Sequence, residues 1–438
     1  MTTPRLFASF ILLTGLALPL LHADWPQFRG PTGDGRSDAK GLPLSWSESE
    51  NVKWKTPIHD KGWSSPVLLG DQIWLTTATD DGRQLFVLAL DKNTGKIVRD
   101  QKLFDAQQPE LWKRFNSYAS PTPVVEPGRV YVTFGEAGTA CLDSKTGATL
   151  WERRDLKCNH YRGAGSSPIL HGNLLILQFD GADDQFIVAL NKQTGKDEWK
   201  VKRSVDYKDL GANGKPQAEG DWRKAYGTPQ IATIEGRPVL LSNGAKAHYG
   251  YDPLTGKEYW HVSHPFHSTG ARPLYAHGLI YFSAGFSRGH FLAITPPPAT
   301  AWRAGNILDA SKEAEPAPGK PHVAWRLTKS VPETPSPIVH EDLLFLVDNN
   351  GFASGIEAKS GKLLWTERVL KAMYASPIFS EGRVYACDRE GKGAVFAATR
   401  EFKLLGEGKL DGTIEASPAA EGKALYLRTS KALYRIEK

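Results

Sequence analysis

Self-similarity constrains this chain more than any other property. Eight prolines, all but one after a short polar residue, open a similar stretch: Ser65-Pro66, Thr122-Pro123, Ser167-Pro168, Thr228-Pro229, Arg272-Pro273, Ser336-Pro337, Ser376-Pro377 and Ser417-Pro418. Arg272 is the one residue in that set without a hydroxyl. The shortest repeat runs from Pro337 to Pro377, a period of 40 residues. Longer units carry insertions, which we place at residues 100–119, 203–225 and 296–322. A period near 40 marks a repeat architecture, in which each unit is one supersecondary element that cannot bury its own faces.

Within a unit the order is constant. The proline leads into a short apolar run, a turn and an apolar strand such as Arg129-Val130-Tyr131-Val132 or Leu343-Leu344-Phe345-Leu346. A further strand ends in an acid or amide, followed by Thr-Gly or Ser-Gly and then Trp. Asp143, Thr146-Gly147 and Trp151 form one such set. Asn191, Asp252 and Glu357 open the sets that end in Trp199, Trp260 and Trp365. The first unit has Asp91 and Thr94-Gly95 but Arg99 where Trp is due. Glycine allows the positive φ of a tight turn. Asp and Thr side chains bond turn amides, and Trp buries a large area against a neighbour. Trp54, Trp151, Trp199, Trp260, Trp325 and Trp365 are therefore expected to dock blade on blade.

Four short strands per unit predict an all-β, eight-bladed β-propeller of four-stranded antiparallel blades. The eighth unit ends at Lys438 without its Trp strand. Asn51 to Pro57, containing Trp54, looks like that missing strand. The reading is a ring over residues 51–438, closed when the N-terminal strand pairs with the C-terminal blade. Residues 24–50 form a wrapping segment outside the repeats.

Residues 1–23 differ in kind. Arg5 precedes the uncharged run Leu6 to Leu21, and Ala23 offers a small residue before Asp24. This pattern predicts a secretory signal peptide. The mature chain is expected in the periplasm or outside the cell, as a monomer without a membrane span. The 42 Gly and 29 Pro are spread along the chain, as repeated turns require. A formal net charge of +6 with no basic stripe argues against nucleic-acid binding. Three cysteines, Cys141, Cys158 and Cys387, leave at least one free thiol or an intermolecular bridge. Cys141 stands where sister repeats have Ala89 and Ala189, so it is read as a small buried apolar residue. A Cys141–Cys158 bridge stays open as an alternative.

The Ala/Leu-Asp-x-x-Thr-Gly-x-x-x-Trp pattern resembles the tryptophan-docking repeat of dehydrogenases that use pyrroloquinoline quinone (PQQ). It is also similar to the repeat of the propeller lipoprotein in the outer-membrane β-barrel assembly machinery. The opening Asp24-Trp25-Pro26-Gln27-Phe28-Arg29-Gly30-Pro31 resembles exported PQQ-binding-like repeat proteins of planctomycetes and verrucomicrobia. The resemblance covers residues 24–438 and implies the propeller fold. For function it implies two classes, enzymes and scaffolds. The resembled dehydrogenases hold the quinone with an adjacent cysteine pair, a Trp floor, Ca²⁺ ligands and an Asp base. No Cys-Cys pair exists here, and none of the calcium ligands or the base maps residue by residue.

Segments entering the inner strands should meet at the mouth of the central channel. Three residues before the prolines stand Trp63, Ser120, Gly165, Tyr226, Gly270, Thr334, Tyr374 and Glu415. With Tyr118, Arg162 and Arg272 nearby, the candidate ligand-binding set is Trp63, Tyr118, Arg162, Tyr226, Arg272, Tyr374 and Glu415. Aromatic and cationic groups in one pocket suit a planar or anionic ligand. No catalytic set is recognised. Gly163-Ala164-Gly165-Ser166-Ser167 lacks the helix that follows a nucleophile elbow.

His261, His264 and His267, with His277 and His290 near, suggest a metal at first sight. Strand alternation puts neighbours at this spacing on opposite faces, so no metal site is assigned. Asp180, Asp183 and Asp184 read as an acidic hairpin turn rather than a calcium site. The leading reading is a non-catalytic scaffold or binding propeller with a protein or envelope-polymer partner and no cofactor. The alternatives are a dehydrogenase of alcohols or sugars using PQQ and Ca²⁺, and a carbohydrate-binding propeller.

Overall fold

The computed structural model describes residues 24–107, 115–286, 289–303, 305–312 and 319–438. The expected signal segment, residues 1–23, lies outside them. The strands form eight separate antiparallel sheets in chain order, each a blade. The first blade contains Val67–Leu69, Gln72–Ala78, Gln84–Asp91 and Ile97–Asp105, running from the axis outward. The middle two strands are buried and apolar while the outermost alternates, as Ile97–Asp105 shows. Stacking of neighbouring blades covers both faces of each middle strand.

The two ends of the chain share the eighth blade. Val52–Pro57 pairs antiparallel with Ala432–Ile436, placing Trp54 opposite Arg435 and Lys55 opposite Tyr434. The sheet order runs from Val52–Pro57 through Ala432–Ile436 and Ala424–Arg428 to Ala419–Glu421. The predicted closure of the ring is the observed one, and it leaves no blade with an unpaired terminus.

Turn chemistry explains the hairpins between third and fourth strands that carry the acid and Thr-Gly landmarks. Asp91 Oδ1 accepts the amides of Asn93 and Thr94 and the Thr94 hydroxyl. Asp143 repeats this with Lys145 and Thr146. The turn glycine has a second duty. A Cβ on Gly95 would lie 2.6 Å from the Trp54 ring, and one on Gly361 would lie 2.6 Å from Trp325. The Trp of one blade therefore lies on the bare turn of the next.

Its indole N–H then finds a carbonyl there: Trp54 to Lys92, Trp151 to Lys192, Trp199 to Pro253, Trp325 to Ala358 and Trp365 to Thr399, at 3.0–3.2 Å. Arg99 replaces Trp in kind. Its guanidinium covers Gly147 and donates to the Lys145 carbonyl at 3.2 Å. Trp260 is the exception, with its Nε1 buried and unpartnered. The following blade continues into an insertion at Pro296 in place of a Thr-Gly turn. Ile307–Asp309 from that insertion instead adds a fifth strand, parallel to Glu258–Ser263.

The insertion boundaries need correction. Residues 100–105 continue the strand Ile97–Asp105, because Phe104 is buried under the next blade. Residues 217–223 form a short 3-10 turn, and His322 begins the strand His322–Leu327. The first and last of these segments contribute to a sheet edge.

A ring of side-chain bonds runs around the axis. The amide of each residue before a repeat proline donates to the hydroxyl of its counterpart in the next blade. Ser65 donates to Thr122, Thr122 to Ser167, and Ser167 to Thr228, at 2.9–3.0 Å. Arg272 donates to Ser336, Ser336 to Ser376, and Ser376 to Ser417, at 2.8–2.9 Å. Ser417 donates back to Ser65 at 3.1 Å. Thr228 to Arg272 is the one junction in this series without such a bond, since Arg272 carries no hydroxyl. Buried bonds of this type contribute about 1 kcal/mol each.

Residues 24–50 lie against the propeller. The carbonyls of Trp25 and Pro26 accept the amides of Leu68 and Val125 in the inner strands of the first two blades. Arg29 is fully buried and donates to the carbonyls of Asp34, Ser336, Pro337 and Pro377. Farther on, Trp46 fills the seventh blade, lying on Gly393 and Gly408, and its carbonyl accepts the Lys409 amide. Gly406 stands opposite Val395 in that blade, where Trp365 stands opposite Gly355 in the sixth. The wrapping segment thus supplies the indole that the seventh repeat lacks.

Candidate functional site

The eight residues three positions before the repeat prolines all line one cavity of about 190 Å³. The convergence follows from the ring. Each segment enters its inner strand at the same end, and the hydroxyl–amide bonds fix the entry points at one level around the axis. Ser65, Thr122, Ser167, Thr228, Ser376 and Ser417 line the same cavity. Phe28, from the wrapping segment, joins the lining, and its carbonyl accepts from Arg272 at 2.7 Å.

Of the candidate set, Trp63, Arg162, Tyr226, Tyr374 and Glu415 line this cavity. Two members are placed elsewhere. Tyr118 lies over Gly82 and lines the two neighbouring grooves. Arg272 is buried and donates to the carbonyls of Pro229 and Phe28, and it lines a separate groove along the inner strands. Its long side chain turns away from the mouth to take backbone acceptors that a Ser or Thr would not reach. Burial, with Arg29 nearby, holds its guanidinium down at about 9.

The polar groups gather on one side. Glu415 has a side chain 6% exposed and accepts from Arg389 Nε at 3.3 Å and from the Thr413 hydroxyl at 3.0 Å. Burial raises its carboxyl above the usual range. Arg389 stands over the Tyr374 ring at 4.5 Å and 5.9 Å from the Trp63 ring. Trp63 and Tyr374 have ring centroids 5.6 Å apart with planes inclined by 55°. On another wall, Arg162 stacks over Phe115 at 4.6 Å and lies 5.9 Å from Phe286. The Tyr226 hydroxyl donates to the His160 carbonyl at 3.4 Å.

The loops that carry these groups are held by two asparagines. Asn116 donates to the carbonyls of Arg162, Gly163 and Ala164. Asn349 donates to Thr334 and Met373 and accepts the amides of Glu333 and Thr334. Sequence reasoning missed Arg389, Phe28 and both asparagines. Arg389 sits in the hairpin of the seventh blade, a position that no repeat landmark marks.

His261 stands apart, while His264 lies within electrostatic reach of His248, His267 and His290. His261 bonds Glu258 at 2.7 Å and lies near Ser204. His264 is buried against His248, ring centroids 4.3 Å apart, and burial pushes it down to about 3. His267 bonds Ser268. Among the described residues no three His, Cys, Asp or Glu side chains gather to hold a metal ion. The expected acidic hairpin divides too. Asp180 ends a strand and forms a fully buried two-pronged ion pair with Arg203. Asp183 and Asp184 accept amides at the turn itself. The three cysteines are free and buried, so Cys141 and Cys158 form no bridge. They share one apolar cluster, and burial raises both thiols above their usual range.

The described lining of the cavity, with two carboxylates, Glu333 and Glu415, is poor in oxygen ligands for a calcium-bound quinone. Ca²⁺ takes about six to eight oxygen ligands. Glu415 is already held by Arg389 and Thr413, and the side-chain oxygens of Asn116 and Asn349 are taken by backbone amides. The arrangement offers aromatic faces, a paired carboxylate and guanidinium, and a rim of hydroxyls.

A closed ring of tryptophan-docked blades defines the class, a repeat β-propeller. The family model described as outer membrane protein assembly factor BamB matches residues 87–285 and 183–437, and the chain belongs to this PQQ-like β-propeller repeat family. A search of curated protein sequences found no significant match. Among solved structures, BamB from Moraxella catarrhalis superposes with a TM-score of 0.57 at 13% identity, covering 88% of this chain and 97% of that one. Quinohemoprotein alcohol dehydrogenase from Comamonas testosteroni gives 0.52 at 13% identity, covering 94% and 80%. A europium-containing methanol dehydrogenase gives 0.51 at 12%, covering 92% and 89%. At these identities the likeness is one of fold.

Proposed function

We propose that this protein is an exported, non-catalytic binding propeller of the cell envelope, which engages a protein or polymer partner at the mouth of its channel. On this reading residues 1–23 are a signal peptide, and residues 24–50 brace the 51–438 ring. Among the described residues no helix is long and apolar enough to cross a membrane. The observation that carries the proposal is the convergence of eight repeat-equivalent positions on one cavity, with Trp63, Tyr374 and Glu415 on one wall and Arg389 behind them in the adjoining groove.

A carbohydrate is the ligand class favoured by that wall. Inclined aromatic faces beside a fixed carboxylate and guanidinium offer apolar contact and directed hydrogen bonds together. A glycan-binding screen of the wild type, Trp63→Ala and Tyr374→Ala tests this. Saturable binding lost in both variants supports the carbohydrate reading, and no glycan bound by the wild type removes it. The non-catalytic claim is tested separately. The purified protein with added PQQ and Ca²⁺ should reduce no dye with alcohols or sugars, and robust turnover would make it a quinoprotein dehydrogenase.

A further inference from the structure

A second, larger cavity of about 570 Å³ lies along the inner strands of the third, fourth and fifth blades, bounded by the wrapping segment. Its chemistry differs from that of the mouth. In each inner strand the residue two after the repeat proline occupies the same register against the second strand: Leu68 opposite Ile73, Val125 opposite Val130, Phe379 opposite Val384. The amides of these three point away from their own sheets and donate to carbonyls of the wrapping segment: Trp25, Pro26 and Gly35. Those bonds show what an inner-strand edge accepts in this protein, the carbonyl of an extended chain.

Leu170, Ile231 and Tyr275 hold the same register in the third, fourth and fifth blades, opposite Leu175, Leu240 and Ile280. Register equivalence turns their amides the same way. All three residues line the cavity, and no described residue accepts from these amides. Arg36 and Arg272 line it as well. Arg36 is exposed, with one nitrogen on the Val339 carbonyl at 3.2 Å. Among the described residues Asp34 is the single carboxylate in the lining, and its Oδ1 already accepts from Thr32 and from the Arg36 amide. The cavity is therefore rich in donors: three strand-edge amides and the exposed Arg36 guanidinium, with the buried guanidinium of Arg272 behind them.

We infer that this groove docks an extended acidic peptide segment of a partner protein. Its carbonyls take the strand-edge amides of the third to fifth blades, as residues 25–35 do elsewhere, and its acidic side chains face Arg36 and Arg272. Strand-edge capture of this kind draws affinity from main-chain bonds and specificity from side chains. The site stands at the opposite end of the inner strands from the mouth, so it is independent of the proposed function there.

The test uses the full chain and a fluorescein-labelled peptide alternating Glu and Val, with an alternating Lys and Val peptide as control. Anisotropy should rise saturably for the first and stay flat for the second. Ile231→Pro removes one edge amide at a position where a strand tolerates proline, and Arg36→Glu reverses one charge. Each should weaken binding about tenfold with thermal unfolding close to wild type. No binding of the Glu–Val peptide overturns the inference. So does displacement by citrate alone, or a loss in Arg36→Glu with none in folded Ile231→Pro, either of which makes the groove a simple anion patch. If Ile231→Pro fails to fold, unchanged affinity in Arg36→Glu overturns it, and a tenfold loss together with resistance to citrate sustains it.

Discussion

At the scale of residues, buried polar groups are the sharpest features. Asp180 and Arg203 are both fully buried, and Arg203 also donates to Ser242 and Tyr251. Removing one partner of such a pair strands the other charge in a dry interior. Asp180→Ala should cost about 3–5 kcal/mol in chemical denaturation, and a loss near zero would show that the guanidinium finds water. The buried imidazoles make a second prediction. Burial pushes His160 down to about 4 and His264 to about 3, and places His248 well below its ordinary value. The unfolded chain protonates these rings near pH 6.5 or so. It therefore binds more protons than the folded chain below that pH, and stability falls as pH drops from about 6.5 toward about 4. The melting temperature should decline over that window, and His264→Phe should soften the decline; an unaltered slope would exclude this ring as a source. Individual residues were legible where they repeat. The Ser or Thr before each proline was visible as a landmark, but its role was not, because its partner lies one blade away in sequence. Arg272 broke the landmark visibly, yet nothing local indicated that its side chain turns away from the mouth.

At the scale of elements, the turn of one blade and the indole of another form a single unit. Gly361 has φ +74°, and its added Cβ would meet the Trp325 ring. Gly361→Ala therefore strains the backbone and displaces the indole together, an overpacking change of about 1–3 kcal/mol. Denaturation of this variant beside Gly382→Ala, which also has positive φ but open space around it, separates the two effects. Equal losses would mean that only the backbone matters. Trp46 is the corresponding test for the wrapping segment. It is 2% exposed and lies on Gly393 and Gly408, so Trp46→Ala should cost about 3–5 kcal/mol. A loss under about 1 kcal/mol would mean that the segment merely lies on the surface. The docking motif was readable because Thr-Gly and Trp recur at fixed spacing. The seventh blade was not, because its missing Trp is supplied from some 360 residues upstream. The fifth strand of the fourth blade escaped for a related reason. Ile307–Asp309 is only three residues long and lies inside a proline-rich insertion.

At the scale of the whole molecule, the cavity follows from closure. Eight equivalent entry segments meet at one cavity only if the ring is complete, and it is completed by pairing Val52–Pro57 with Ala432–Ile436. The same closure sets the hydroxyl–amide ring that levels the entry points. The fold was legible in the sequence because period, turn residues and the orphan strand around Trp54 all agree. The chemistry of the cavity was not, because its lining positions vary between repeats, from Trp63 and Glu415 to Gly165 and Gly270. The most direct measurement is amide hydrogen exchange across the shared blade. Residues 52–57 and 432–436 should be equally protected and should lose protection together in Trp54→Ala. Free exchange of residues 52–57 while residues 432–436 stay protected would contradict the closed ring.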